Sequence, residues 1–220
     1  REPLLKFFES LNDVMFKFTD IVMRFAPIGI FAAMAATIGA SGIELLLNLG
    51  KLVLTLYVAL VVFVLVALVP VALLCRIPLR AFWKRAREPW LIAFTTASSE
   101  AALPLAMENM EKFGVPRRIV AFVLPTGYSF NLDGSTLYLS VAALFVAQAA
   151  GADLTISQQL VIMLTLMLTS KGVAAVPRAS LVILSGALAT FGLPLEGVAV
   201  ILGVDAFMDM ARTSVNLLGN

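Results

Sequence analysis

Apolar residues run through this chain in stretches too long for a soluble core, and polar residues interrupt them at a few fixed places. Leu52–Cys75 carries no charge at all, and about 20 apolar residues suffice to cross a bilayer as a helix. A membrane-spanning strand would instead show alternation over about 10 residues. The pattern therefore predicts an all-α membrane protein. Residues 1–13 are mixed and interfacial, and a first apolar helix is expected from about Val14 to Ala40 with a kink at Ala26-Pro27-Ile28-Gly29. Lys17, Asp20 and Arg24 share one helical face, the spacing of a solvated or ion-paired stripe near the membrane edge. A loop over 39–50 leads to a second helix over 51–75, bent near its end by Pro70.

Charge then orients the chain. Arg76, Arg80, Lys84, Arg85 and Arg87 follow the second helix, and cations collect on the cytoplasmic side, so that helix ends inside. The next stretch, about 88–110, is broken by Thr95-Thr96-Ala97-Ser98-Ser99 and Pro104, and returns to Lys112, Arg117 and Arg118. Basic residues at both ends predict a hairpin that enters and leaves on the cytoplasmic side, a path tolerated only where the backbone is buried in protein or lines a wet cavity. Asn131-Leu132-Asp133-Gly134-Ser135 interrupts a helix over about 118–150. Residues 151–158 lack Lys and Arg and should lie outside. A second hairpin, over about 158–191 with Thr169-Ser170-Lys171-Gly172 and Pro177 at its middle, is expected to enter from there. A last helix follows over about 198–220. Ser99–Pro104 and Gly172–Pro177 resemble each other, which suggests an inverted repeat with a site at the midplane.

The chain is 60% hydrophobic and 14% charged, against about 25% charged in soluble domains. Charges kept inside such a chain carry a cost of about 2.5–3.5 kcal/mol each at the bilayer centre, so they mark a working site. With no histidine, Ser-His-Asp catalysis and His-type zinc sites are excluded, and with one cysteine no internal disulfide can form. The net charge of +2 calls for no nucleic-acid partner. The chain starts at Arg1 and stops in mid-pattern at Gly219-Asn220, as expected of a fragment lacking early helices.

Three constellations carry chemistry. Asp205, Asp209, Arg212 and Asn216 fall at i, i+4, i+7 and i+11 on one helical face, flanked by Thr213. A guanidinium presents a rigid fork to a carboxylate, and a neighbouring carboxylate suits an ammonium; together they match a zwitterionic acidic amino acid, although the two also suit a buried structural pair. Asn131 and Asp133, beside Gly127 and Gly134, sit in an unwound helix whose freed carbonyls offer a cage for Na⁺. The alternative is a helix break packed on a neighbour, with Asp133 paired to Lys or Arg. The hairpin middles, with Thr95, Ser98 and Ser99 in one and Ser170 and Gly172 in the other, would bring helix N-termini toward an anion, or serve only close helix packing. Glu100 stays open between ligand, proton carrier and partner of Arg178.

Four of these motifs, in order, resemble the dicarboxylate/amino acid:cation symporters, the glutamate transporter family: Thr95-Thr-Ala-Ser-Ser-Glu-Ala-Ala-Leu-Pro104, Asn131-Leu-Asp-Gly-Ser135, Thr169-Ser-Lys-Gly-Val-Ala-Ala-Val-Pro177, and Asp205-Ala-Phe-Met-Asp-Met-Ala-Arg-Thr213 with Asn216. The likeness is strongest to bacterial proton/sodium–glutamate symport proteins. It implies an elevator-type fold with two re-entrant helical hairpins and broken transmembrane helices, in which residues 1–50 form a scaffold-type helix and outer loop and residues 51–220 the transport region. It further implies a homotrimer in the inner membrane, with multi-pass topology, carrying glutamate or aspartate with Na⁺ or H⁺ and no bound cofactor. By that resemblance Asp209 meets the substrate ammonium and Arg212 its side-chain carboxylate, with Ser98, Ser99, Ser135, Val176, Thr213 and Asn216 completing the substrate site. Gly127, Ser129, Asn131, Asp133, Ser170, Lys171, Val173, Asn216 and Asn220 fall at cation-site positions.

Departures from the family pattern stand at Asn220, often Asp, at Ala97, often Arg, and at Arg178, often Gly. Losing a charge at Asn220 weakens a sodium site and favours proton coupling, and the cation at the hairpin tips is expected to have moved from one hairpin to the other. A C4-dicarboxylate carrier is the alternative cargo reading. An intramembrane aspartyl hydrolase using Asp133 and Asp209 and a passive channel are the rivals from other classes.

Overall fold

The computed structural model describes residues 2–172 and 179–220. Val173, Val176, Pro177 and Arg178 lie outside the described residues. Every regular element among the described residues is a helix. α1 spans Glu2–Ser41 and runs unbroken through Pro27. The expected interfacial segment over residues 1–13 is thus part of this helix, because its polar residues carry no Gly or Pro after position 3 to stop it.

The second helix also begins earlier than the pattern predicts. α2 spans Glu44–Phe63 and the expected loop shrinks to Gly42 and Ile43, where Gly42 takes φ +80. Leu49, Leu52, Leu56 and Leu60 recur every turn on its buried face. A π-helical turn over Val64–Leu68 joins it to α3, Val69–Leu74. The cause is Pro70, which has no N–H and crowds the carbonyl a turn before it. The widened turn absorbs this, and Val69 N–H reaches back to the Val64 carbonyl.

α4, Leu79–Thr96, and α5, Ser99–Phe113, fold back on each other. The turn is Ala97-Ser98: Ala97 sits in the left-handed region at φ 50, and the Ser98 hydroxyl caps α5 by accepting from Ala101 N–H at 3.3 Å. α6, Arg117–Phe130, and α7, Asp133–Ala149, are two halves broken at Asn131 and Leu132. α8, Ile156–Thr169, starts with a reciprocal cap between Thr155 and Gln158. It ends in a 3₁₀ turn at Ser170–Gly172, and α9 spans Ala179–Thr190 and packs against α8.

The expected last helix over about 198–220 is two helices. α10 spans Glu196–Leu202 and α11 spans Asp205–Gly219, with Gly203 and Val204 between them. Gly203 itself keeps helical angles, φ −65 and ψ −31. A Cβ on Gly203 would collide with the Met34 sulfur of α1, so the chain is pinched there against the first helix.

α7 is the centre of the fold. Its Tyr138, Leu139, Ala142, Ala143, Val146 and Ala147 join Leu49–Leu60 of α2, Ile162 and Leu166 of α8, Leu184 and Leu188 of α9, and Met208, Ala211 and Val215 of α11 in one core. The outer surfaces are as apolar as the core: Leu54, Val58, Val61, Leu65, Val66 and Phe122 are exposed. Contiguous exposure on that scale marks a surface meant for something other than water. Two stretches, Glu44–Leu74 of 31 residues and Arg117–Ala149 of 33 with its break at Asn131 and Leu132, are long and apolar enough to cross a membrane.

Candidate functional site: a buried ionic cluster where a broken helix meets the last helix

α7 and α11 touch closely because Gly134 has no side chain. A Cβ there would run into the Arg212 carbonyl, with the Arg212 Cα only 2.9 Å away. That approach lets Asn216 of α11 cap α7: its Oδ1 accepts from Gly134 N–H at 2.7 Å and Ser135 N–H at 3.2 Å, while its amide donates to the Ser135 hydroxyl at 2.9 Å. The first N–H groups of a helix have no intrahelical partner. Here a side chain from another helix supplies one, which fixes the two elements that carry the site.

Two turns back on α11, Asp209 Oδ1 accepts from Arg212 Nε and from the Thr213 hydroxyl, each at 2.9 Å. All three residues are buried, as are Asp205, Asn216 and Ser135. The guanidinium lies over the Tyr138 ring, 4.2 Å from its centroid, and the Tyr138 hydroxyl donates to Asp205 Oδ1 at 2.7 Å. Arg212 Nη1 is buried and makes no hydrogen bond. A guanidinium nitrogen enclosed in this way has a full donor to offer, which is what an anionic ligand requires.

A second group of oxygens lies toward the end of α11. Gly127 faces Asn220, whose Oδ1 would be 2.7 Å from an added Cβ and is itself buried without a hydrogen bond. Asn131 donates to the Gly219 carbonyl at 3.0 Å, and Asp133 Oδ2 would lie 2.6 Å from a Cβ on Gly219. Thr136 and Ser170 share a hydroxyl–hydroxyl bond of 2.9 Å, which ties the 3₁₀ turn after α8 to α7. No cluster of three His, Cys, Asp or Glu side chains exists among the described residues. These donors are carbonyl, carboxamide and single carboxylate oxygens, the set a hard cation accepts.

Residues 1–220 as a whole match the family model described as the sodium:dicarboxylate symporter family. The chain belongs to that family. It is 50% identical over 220 residues to the proton/glutamate-aspartate symporter of Escherichia coli (strain K12), covering 100% of this chain and 50% of that one. It is 52% identical over 219 residues to the proton/glutamate-aspartate symporter of Bacillus subtilis (strain 168), covering 100% of this chain and 53% of the relative. C4-dicarboxylate transport protein 2 of Pseudomonas aeruginosa (strain UCBPP-PA14) is 43% identical over 220 residues, 100% of this chain and 50% of that one. The chain spans about half the length of the curated relatives it matches. The family resemblance drawn from the four motifs is thereby shown.

Within this symporter-family chain the structure gathers Ser135, Asp209, Arg212, Thr213 and Asn216 at one place. Gly127, Asn131, Asp133 and Asn220 line the neighbouring oxygen group, and Ser170 bonds Thr136 of α7. Other expected residues fall elsewhere. Ser98 spends its hydroxyl on α5, Ser99 is half-buried beside it, and neither hydrogen-bonds to Asp209 or Arg212 among the described residues. Ser129 and Lys171 are exposed, with Lys171 near enough to attract Asp133. Val173 and Val176 are outside the described residues. Sequence reasoning passed over Tyr138 and gave Asp205 no role. The available signal was a tyrosine inside an apolar helix, since a buried phenol needs a partner for its hydroxyl.

Proposed function

We propose that this chain forms the cargo-binding part of a secondary active symporter that brings glutamate or aspartate into the cell with Na⁺ or H⁺. The observation that carries the reading is the buried Asp209–Arg212 pair with one guanidinium nitrogen left to donate. Arg212 takes the side-chain carboxylate of the cargo, Asp209 its ammonium, and Thr213, Asn216 and Ser135 line the site. Ser98, Ser99 and Val176 complete it from the hairpin tips. Cations travel in the oxygen groups of Gly127, Ser129, Asn131, Asp133, Ser170, Lys171, Val173, Asn216 and Asn220. The relatives named for proton/glutamate-aspartate symport, at about half identity over the whole chain, support this cargo.

The same reading takes α4–α5 and α8–α9 as two re-entrant hairpins of an elevator-type protein. Residues 1–50 belong to its scaffold and residues 51–220 to its moving part. It is multi-pass in the inner membrane and assembles as a homotrimer. A C4-dicarboxylate cargo is the second reading, supported by the Pseudomonas relative. It leaves Asp209 without an ammonium to meet. The test is uptake of labelled glutamate into proteoliposomes of the complete protein, with Na⁺ and pH gradients imposed separately. Arg212→Ala should abolish uptake while membrane insertion is normal, and succinate should compete poorly. Normal glutamate uptake by that variant would remove Arg212 from the site and the reading with it.

A further inference from the structure

The Arg212 guanidinium is held on two sides. Asp209 takes Nε at 2.9 Å, and the Tyr138 ring covers one face at 4.2 Å. The Tyr138 ring is in turn tied down by its hydroxyl, which donates to Asp205 at 2.7 Å. Tyr138 and Asp205 are both completely buried, each at 0% exposure. Asp205 stands two turns before Arg212 on α11, so α7 lends a ring that bridges two charged positions of the neighbouring helix. Arginine otherwise carries about 2 kcal/mol of rotamer entropy, and a flexible guanidinium would have to be ordered by each cargo molecule it met.

We propose that Tyr138, anchored by Asp205, is a positioning residue that fixes the plane of the Arg212 guanidinium and thereby sets affinity for the carboxylate of the cargo. The proposal rests on the functional reading above. Asp209 sets the rotation of the guanidinium by taking Nε. The ring sets its plane. The terminal nitrogens are what remain for the cargo, and Nη1 is the one without a partner. The hydroxyl does not touch the cargo: its bond to Asp205 keeps the ring from tilting into the space the cargo would enter.

The experiment uses the complete protein in proteoliposomes and measures initial rates of glutamate uptake. Tyr138→Phe keeps the ring face and loses the anchor; Tyr138→Leu loses both. The expected result is a graded rise in KM, about tenfold for Phe and about 100-fold for Leu, with Vmax per inserted molecule within twofold of the parent. Elution profile and melting temperature in detergent show whether each variant is folded. A parent protein that takes up no glutamate would sink the functional reading itself. A parent that transports, with Tyr138→Phe matching it in KM, would overturn the positioning role alone. A fall in Vmax at constant KM would also overturn it, since that marks a merely structural residue. Should Tyr138→Leu fail to fold, the Phe variant decides by itself.

Discussion

Gly134→Ala tests the contact on which the whole site depends. The added Cβ would sit 2.9 Å from the Arg212 Cα, 3.0 Å from its carbonyl carbon and closer to the oxygen. Carbon atoms settle at about 3.5–4.0 Å, so α7 and α11 must part by about 0.5–1 Å at this point. The obstacle is backbone, which cannot swing aside as a side-chain tip would. Overpacking of this kind costs about 1–3 kcal/mol. Parting the helices also stretches the cap that Asn216 places on Gly134 and Ser135, worth about 1 kcal/mol. At about 2–4 °C per kcal/mol for a chain of this size, the variant should melt about 10 °C below the parent in detergent. Gly186 supplies the control, because nothing lies within 4 Å of a Cβ built there. Gly186→Ala should melt at or slightly above the parent, since alanine is favoured over glycine in a helix by about 0.5–1 kcal/mol. Equal melting temperatures for Gly134→Ala and the parent would mean that α7 and α11 do not meet as described.

Asn220→Asp places a carboxylate opposite Gly127, and the apparent Na⁺ affinity of glutamate uptake should rise about tenfold, well within the Coulomb energy available at about 4 Å. An unchanged Na⁺ dependence would take Asn220 out of the cation cage. Asp209→Asn removes the group proposed to meet the cargo ammonium, so glutamate uptake should weaken while competition by succinate strengthens. If both ligands weaken equally, Asp209 does not discriminate between them. Thr155→Ala breaks the reciprocal cap of α8 and should lower the melting temperature by a few degrees for a loss of about 1 kcal/mol, with KM unchanged. A changed KM would tie the start of α8 to the site.

The parts of the fold legible in the sequence are those where residue chemistry forces the backbone. Asn131-Leu132-Asp133-Gly134 reads as a break because short polar side chains and glycine compete with the helix, and the structure breaks there. The face of Asp209, Arg212 and Asn216 is legible from spacing alone. What escaped depends on neighbours distant in sequence. A single glycine at position 203 is tolerated in a helix, and the close approach of Met34 of α1 that leaves no room for a Cβ there joins residues far apart in sequence. The π-helical turn before Pro70 reads as a bend because sequence does not reveal how a helix absorbs a missing donor. Tyr138 drew no notice in the sequence. Its bond to Asp205 joins residues on two helices whose approach is set by Gly134.

The electrostatics of the site link the proposed cargo to the proposed cations. In the structure the charges of Asp209 and Arg212 cancel each other at 2.9 Å. Glutamate carries two carboxylates and one ammonium, a net charge of −1, so a single accompanying cation leaves the net charge of the site unchanged on loading. An unchanged net charge adds no further charge penalty to a crossing of the bilayer. A C4-dicarboxylate brings −2 and no ammonium. Its second carboxylate then stands against Asp209, and like charges at about 4 Å repel by about 4 kcal/mol in a protein of intermediate dielectric. That repulsion must be met by a further cation or by a proton on the carboxylate. In the proposed reading, cargo choice and cation count are one property of this cluster, set by whether Asp209 finds an ammonium, and the oxygen group around Asn131, Asp133 and Asn220 lies at the end of the same helix, α11.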